Sequence, residues 1–251
     1  MTRRRFHAPP NGFSSHRDSV TLAADEARYL REVLRLKVGD EVYVFNGEGK
    51  EFQCRIEESR RDTATLQIIA EVTPARSESQ LELTLAVALL KGEKFDLVVQ
   101  KATELGVTRI VPVVTKLADI RLRDTSDAAK RVLRWQRIAL EAAKQSGRAV
   151  VPEVEKPVAV ESLIRSTDSV GAIMFSERDG QSLPEAREAM PCNIVSLTAL
   201  VGSEGGWTDQ EIRLAKEAKW LVVTLGGRTL RAETAAITAA ALLQHLFGDL
   251  T

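Results

Sequence analysis

The sequence predicts an α/β fold with a mainly parallel sheet, preceded by a smaller β-rich domain. From residue 81 to the C-terminus, apolar strand-like runs alternate with helical patterns, as they do in parallel sheets crossed by helices. Residues 1–73 instead carry short strand patterns, turn signals and one helical pattern, which is typical of a compact β domain. Residues 74–79 are polar and turn-rich, so we expect a linker there. The two domains are therefore expected at residues 1–73 and 80–251.

The first domain is expected to be a small barrel. Residues 42–45, 52–56 and 64–69 have the apolar or alternating patterns of strands, and the Asn46-Gly47 pair predicts a hairpin between the first two. A helix is expected at residues 25–36, closed by Gly39. Its apolar side would carry Tyr29, Leu30, Val33 and Leu34.

The second domain is expected to alternate strands and helices to its end. Strands are predicted at 81–90, 110–114, 170–175, 192–200 and 220–225, and helices at 93–105 and 126–145. A further helix begins after Thr208, which forms a capping box with Glu211. The last helix is expected at 232–247, with Gly248 ending it.

Two glycine-rich turns follow the last two of these strands. They are Gly202-Ser203-Glu204-Gly205-Gly206 and Leu225-Gly226-Gly227-Arg228-Thr229-Leu230-Arg231-Ala232-Glu233-Thr234-Ala235. Because each turn follows a strand and opens a helix, we expect two backbone cradles at the carboxyl ends of neighbouring parallel strands, where open α/β sheets bind ligands. Glycine lets a ligand contact bare backbone, although tight turns before helices also use glycine. Neither turn has the spacing of a P-loop or of a dinucleotide fingerprint.

Composition and charge exclude several classes of protein. No apolar run approaches the length of a membrane span, and no apolar segment follows the arginine-rich N-terminus, so no secretory signal is expected. Three histidines and two cysteines without a C-x-x-C pair argue against zinc and against disulfides, and we expect a cytoplasmic protein. The net charge is zero, but residues 1–17 carry four Arg and no acid, and residues 116–148 carry nine Lys and Arg against four acids. The basic residues of these two stretches either bind RNA phosphates or form a solvated surface.

The glycine-rich turns resemble the paired motifs of the SPOUT methyltransferases. Together with residues 101–112, residues 142–148 and Val33-Leu34-Arg35, they are similar to the RsmE family, which methylates N3 of a uridine in small-subunit ribosomal RNA using S-adenosylmethionine. The resemblance implies a PUA-like RNA-binding barrel, then a SPOUT domain with a C-terminal trefoil knot. It also implies a homodimer with the donor site near the subunit interface, and 16S ribosomal RNA in the assembled small subunit as partner. The sequence departs from many relatives at residues 115–117.

The resemblance also implies a set of binding residues. The residues expected to hold S-adenosylmethionine are Leu200, Val201, Gly202, Glu204, Gly205, Gly206, Leu225, Gly226, Leu230, Arg231, Thr234 and Ala235. The residues expected to bind RNA are Arg3, Arg4 and Arg5, from the charge of the N-terminus, and Arg35, Lys101 and Arg148, from the resemblance. No metal is expected, because methyl transfer from a sulfonium is a direct displacement. For Lys101, an ion pair with Glu104 on the same helix is the alternative.

Arg231 is the expected catalytic residue. Attack by uridine N3 requires charge to develop on O2 and O4, and a planar, permanent cation can meet such an oxygen. The alternative is that Arg231 pairs with Glu233 or Glu204 and only braces the turn. Phe6 and Phe13 lie among the N-terminal arginines, where they either stack on bases or belong to the core.

Two other functions compete with uridine N3 methylation. One is a SPOUT ribose 2′-O-methyltransferase, which would have the same cradles. The other is a non-catalytic RNA-binding protein of the same fold. The intact glycine-rich turns argue against the latter, because a protein that only binds RNA needs neither cradle.

Overall fold

The computed structural model describes residues 3–118, 120, 122, 124–168 and 170–250. It divides into two compact units, the first formed by Met1–Glu78 with Ala143–Val151 and the second by Ser79–Ala142 with Pro152–Thr251. The sequence placed residues 143–151 with the second domain. They belong to the first unit because their backbone pairs with the 46–49 turn: Gly49 N–H donates to Ala149 O at 3.1 Å, and Val151 N–H donates to Gly47 O at 2.9 Å.

The first unit is a curled five-stranded sheet. Its strands are β1 Arg5–His7, β2 Ser19–Leu22, β3 Glu41–Phe45, β4 Glu51–Ser59 and β5 Ala64–Val72. The strand order is β1-β3-β4-β5-β2, with β1 parallel to β3 and the other pairs antiparallel. The hairpin predicted at residues 46–49 joins β3 to β4, and the short strands β1 and β2 were not predicted from the sequence.

The helix of this unit changes its geometry midway. Helix α1, Ala24–Arg28, continues directly into a π-helical turn, Tyr29–Val33, where the sequence predicted one regular helix. A π turn places more residues in each turn than an α-helix does, so the i, i+4 spacing no longer keeps the predicted apolar side together. Leu30 is fully buried as a result, whereas Tyr29 is 38% and Val33 63% exposed.

The core of the first unit includes the aromatic residues near its N-terminus. Phe6 is completely buried, and Phe13 packs against Phe52 with ring centroids 5.0 Å apart. Both rings therefore belong to the core, which is one of the two alternatives that the sequence left open. The buried Phe6 ring is not available to stack on a base, whereas the Phe13 ring is only half-buried.

The second unit alternates strands and helices, as the sequence predicted. Its strands are β6 Glu82–Ala88, β7 Arg109–Val114, β8 Glu153–Val154, β9 Val158–Ala159, β10 Ala172–Phe175, β11 Ser196–Val201 and β12 Leu221–Val223. Its helices are α2 Lys94–Glu104, α3 Thr125–Ser146 (whose last four residues belong to the first unit), α4 Val160–Ser166, α5 Leu183–Glu188, α6 Asp209–Glu217 and α7 Ala232–Phe247. The sequence did not predict the short elements β8, β9, α4 and α5.

The sheet of this unit is parallel throughout its described pairs. Its order is β12-β10-β11-β6-β7-β8, and β9 also pairs with β7. Strand β10 is buried along its whole length, and β6 and β11 are buried after their first residues, as expected for a parallel sheet covered on both faces. Helices α4 and α6 pack together with a cluster of apolar strand residues, and α7 packs on α2, β6 and β11. The mainly parallel α/β fold is therefore confirmed.

The strand order corrects one expectation about the glycine-rich turns. The sequence placed them after neighbouring strands, but β10 lies between β11 and β12 and pairs with both. Strands that follow each other along a chain need not be neighbours in a sheet, because their order depends on how each crossover returns. The carboxyl end of β10 consequently lies between the two turns.

Helix starts and ends match the signals in the sequence. Thr208 caps α6 and forms the predicted capping box with Glu211, and Gly248 is the C-terminal cap of α7. Helix α7 begins at its N-cap Arg231 without any side-chain cap. Across the described part of the chain, no helix is both long and apolar enough to cross a membrane.

Candidate functional site

A cavity of about 170 Å³ lies at the carboxyl ends of β10, β11 and β12. Each of the three strands contributes its last residues or the turn that follows it. The lining residues are Phe175, Ser176, Glu177, Val201, Gly202, Ser203, Gly206, Trp207, Thr224, Leu225, Gly226, Gly227, Arg228, Thr229, Leu230, Ala232 and Ala235. The cavity is therefore where ligands bind in open α/β sheets.

Two glycines give this cavity its backbone shape. Gly206 has φ +69° and Gly226 has φ +64°, a left-handed conformation that side chains other than glycine rarely adopt. Gly202 is needed for a different reason: a Cβ there would lie 3.0 Å from Trp207 Cε2. The Trp207 indole is itself fixed, because it is buried and its Nε1–H donates to Phe175 O at 2.8 Å.

One buried polar atom at this site lacks a partner within the chain. Ser203 lines the cavity and is 7% exposed, and its Oγ has no hydrogen-bond partner among the described residues. A buried hydroxyl without a partner costs free energy. A polar group of a bound ligand would satisfy it.

Seven of the twelve residues predicted to hold S-adenosylmethionine line the cavity. They are Val201, Gly202, Gly206, Leu225, Gly226, Leu230 and Ala235. The other five lie around it: Leu200 is completely buried in the core, and Glu204, Gly205, Arg231 and Thr234 are exposed. At Gly205 a Cβ would lie 2.7 Å from Leu117 O, so this glycine allows the turn to pack against residues 115–117.

Sequence reasoning missed the contribution of β10 to the site. Phe175, Ser176 and Glu177 line the cavity at the carboxyl end of this strand. Strand β10 itself was predicted, but nothing in the sequence indicated that it separates β11 from β12. Trp207 and Thr224 were also missed, although both lie at the ends of the predicted turns.

The predicted catalytic residue lies beside the cavity and is unpaired. Arg231 is exposed, and its guanidinium has no ion pair with any described residue. Leu230 before it and Ala232 after it both line the cavity. The alternative in which Arg231 pairs with Glu233 or Glu204 is therefore wrong in this structure.

Lys94, and not Arg231, lies next to the carboxylates of Glu204 and Glu233. The ammonium of Lys94, the first residue of α2, forms a hydrogen bond with the Glu204 carboxylate and lies 3.8 Å from Glu233 Oε2. The hydrogen bond and charge of Glu204 raise the pKa of Lys94 above its ordinary value, whereas the nearby Arg231 cation opposes the rise. Lys94 and Arg231 are therefore close enough to affect each other electrostatically.

The residues predicted to bind RNA divide into two groups in the first unit. The side chain of Arg5 is only 7% exposed and donates to the completely buried Glu51 carboxylate, and Arg3 donates to the same carboxylate at 3.1 Å. Arg148 is buried and donates to Glu78 at 2.8 Å. Arg5 and Arg148 thus each hold a carboxylate of the first unit, which gives both a structural role; RNA binding by these two residues stays a prediction.

Two of the predicted RNA-binding arginines are accessible. Arg4 and Arg35 are exposed and have no ion pair among the described residues. Arg35 holds a left-handed conformation at φ +53°, which is uncommon for a residue with a side chain. In the second unit, Lys101 pairs with Glu104 at 2.8 Å, as in the alternative proposed from the sequence. Asp119, Arg121 and Arg123 of the basic stretch lie outside the described residues.

The described residues contain no cluster of three or more His, Cys, Asp or Glu side chains able to hold a metal ion. The two cysteines are not bonded to each other: Cys54 is buried and Cys192 is exposed. Burial raises the pKa of the Cys54 thiol to about 12.

Comparison with known proteins matches both units of the chain. Residues 77–244 match the family described as the RNA methyltransferase domain, and residues 22–69 match the RNA methyltransferase PUA domain. The chain is 30% identical to ribosomal RNA small subunit methyltransferase E of Rickettsia conorii, over 94% of this chain and 93% of the relative. It is 33% identical to the protein of that name from Synechocystis, over 91% of this chain and 73% of the relative.

A solved structure resembles the whole chain. The crystal structure of ribosomal RNA small subunit methyltransferase E from Neisseria gonorrhoeae, bound to S-adenosyl methionine, superposes with a TM-score of 0.87 and 35% sequence identity. The similarity covers 100% of each chain.

Proposed function

The chain belongs to the ribosomal RNA small subunit methyltransferase E family, and from this premise we propose that it methylates 16S ribosomal RNA with S-adenosylmethionine as donor. The acceptor that we propose is N3 of a uridine. The observation that carries the proposal is the cavity between the ends of β10, β11 and β12, with Arg231 unpaired at its edge.

The described residues fit S-adenosylmethionine. Phe175, Val201, Leu225 and Leu230 offer apolar contacts to an adenine ring, and the left-handed turn at Gly226 exposes backbone groups that can hydrogen-bond its polar edge. The Ser203 hydroxyl, buried without a partner, can meet a polar group of the donor. The uncapped first turn of α7 offers free backbone amides to an anionic group.

Arg231 favours the form of uracil that can accept a methyl group. S-adenosylmethionine, when bound, supplies the methyl group from its sulfonium. Uracil N3 carries a proton between two carbonyls. That proton must pass to water as the N3–CH3 bond forms and the S–CH3 bond of the sulfonium breaks, so negative charge develops on O2 and O4. The Arg231 guanidinium is exposed beside the cavity and is not neutralised by an acid, so it can donate hydrogen bonds to one of these oxygens. Such a donor acts by stabilising charge at the reacting base.

RNA affinity in this proposal comes partly from the first unit. Arg4 and Arg35 are exposed and unpaired among the described residues, so they can contact phosphates without breaking an ion pair. Replacing either by Ala should weaken RNA binding and reduce the slope of log affinity against log salt by about 1. Donor affinity should stay unchanged. A slope equal to that of the parent in both variants would contradict this role.

We also propose the cellular form of the enzyme. It is a homodimer that acts in the cytoplasm on the assembled small subunit, and its C-terminal segment forms a trefoil knot. The knot is proposed from the family to which the chain belongs; in the structure, the chain leaves the edge strand β12 and continues into α7, which packs on β6 and β11. Light scattering of the purified protein tests the dimer, and a monomeric mass would refute it.

The central experiment is methylation of purified small subunits and of naked 16S ribosomal RNA taken from cells that lack this protein. Digestion to nucleosides and mass spectrometry should find one additional methyl group, retained on the uracil base after the ribose is removed. A methyl group on the ribose would instead identify a 2′-O-methyltransferase, and it would also make the adjacent phosphodiester resistant to alkali. RNA binding with no methyl transfer to either substrate would identify a non-catalytic protein of this fold.

A further inference from the structure

Three charged side chains from three elements meet beside the cavity. Lys94 is the first residue of α2, Glu204 lies in the turn after β11, and Glu233 lies in the first turn of α7. The Lys94 ammonium is hydrogen-bonded to Glu204 and lies 3.8 Å from Glu233 Oε2. One cation therefore links the start of α2 to both glycine-rich segments.

Glu233 has few other ways to balance its charge. Its side chain is only 13% exposed, and its Oε2 is buried without a hydrogen-bond partner among the described residues. A carboxylate removed from water attracts the nearest available cation strongly. In this structure the Lys94 ammonium faces that oxygen.

Arg231 is the cation that would replace Lys94. It lies two residues before Glu233 in the chain, and its charge already influences the pKa of Lys94. Arginine binds carboxylates through a planar fork, so an acid left without a partner would compete for the guanidinium. Yet Arg231 is exposed and forms no ion pair with the described residues.

We propose that Lys94 is a positioning residue for the methyl transfer: by holding Glu204 and Glu233, it keeps the Arg231 guanidinium free for the uracil oxygens. The inference rests on the proposed function, since it assumes that a free Arg231 speeds the reaction. Lys94 itself need not touch donor or RNA. Its effect is electrostatic and depends on the two acids.

The test measures single-turnover methylation at saturating donor and RNA. Lys94→Met should lower the rate about two- to sixfold, because an ion pair worth about 0.2–1 kcal/mol reduces the fraction of molecules with a free Arg231 by that order. Donor affinity, measured by calorimetry, should change less than twofold. Lys94→Arg keeps the cation and should recover most of the rate.

Removal of the acids supplies the decisive comparison. In a background that carries both Glu204→Gln and Glu233→Gln, the additional change Lys94→Met should alter the rate less than twofold, because no acid remains to capture Arg231. Arg109→Met is the matched control: it breaks the 3.2 Å ion pair with Glu155 at the amino end of β7, whereas the cavity lies at the carboxyl ends of the strands. It should leave the rate unchanged.

The outcomes separate this inference from the proposed function. If the parent methylates RNA and Lys94→Met keeps its full rate, the positioning role is refuted and the proposed function stands. A loss of rate that is equally large in the acid-free background also refutes the role, because Lys94 would then act directly or through the fold. If the parent transfers no methyl group to small subunits or RNA, the proposed function fails and this inference fails with it.

Discussion

Replacement of Arg231 tests the catalytic proposal with little interference from folding. Its side chain is exposed and has no ion pair with the described residues, so Arg231→Ala should change the free energy of unfolding by no more than about 0.5 kcal/mol. A preorganised donor that stabilises developing charge is worth about 10²–10³ in rate, or roughly 3–4 kcal/mol. The two expected effects thus differ by nearly an order of magnitude in free energy. Arg231→Lys keeps the charge but not the fork, and should recover only part of the rate.

The assay is single-turnover methylation at saturating donor and RNA, with thermal unfolding measured on the same samples. Arg213→Ala serves as the control, because Arg213 is an exposed, unpaired arginine on α6 within the described part of the same unit. We expect its rate to stay within about twofold of the parent. A rate for Arg231→Ala within about threefold of the parent would refute the catalytic role, since it corresponds to less than about 0.7 kcal/mol.

Three further predictions concern the cavity and the first unit. Gly226→Ala places a side chain at φ +64°, where no described protein atom lies within 4 Å of its Cβ, so backbone strain of about 1–2 kcal/mol should weaken donor binding roughly 5- to 30-fold in calorimetry. Gly39→Ala is the control, because Gly39 has φ +94° in the first unit and its replacement should leave donor affinity unchanged. Equal losses of affinity in the two variants would contradict a local effect at Gly226. Glu51→Gln should destabilise the first unit by about 3–5 kcal/mol in urea unfolding, because the Arg5 side chain, which is 7% exposed, loses its carboxylate partner. A loss of stability below about 1 kcal/mol would show that water replaces the ion pair. Burial, reinforced by the Lys144 charge, lowers the pKa of His7 from 6.5 to about 4. The first unit should therefore lose stability as the pH falls from about 6.5 towards 4, because the unfolded chain then binds a proton that the folded chain does not. His7→Gln should remove part of this pH dependence.

The sequence by itself determined the local structure around the site. Thr208 and Glu211 predict the start of α6 because a capping box satisfies backbone amides within four residues, and Gly248 predicts the end of α7 for a similarly local reason. Gly206 and Gly226 adopt the left-handed conformations that made their turns candidates for a cradle. These features depend on neighbours along the chain, so the sequence records them directly.

Only the tertiary structure decided which segments meet. Strand β10 separates β11 from β12 and brings Phe175 to the cavity, an order set by crossovers that no local pattern encodes. The N-terminal arginines looked like phosphate ligands, yet Arg5 is buried against Glu51, because a charged residue's role depends on whether a distant acid removes it from solvent. Lys94 contacts Glu204, which lies 110 positions away in the chain, and no local sequence pattern encodes such a long-range contact.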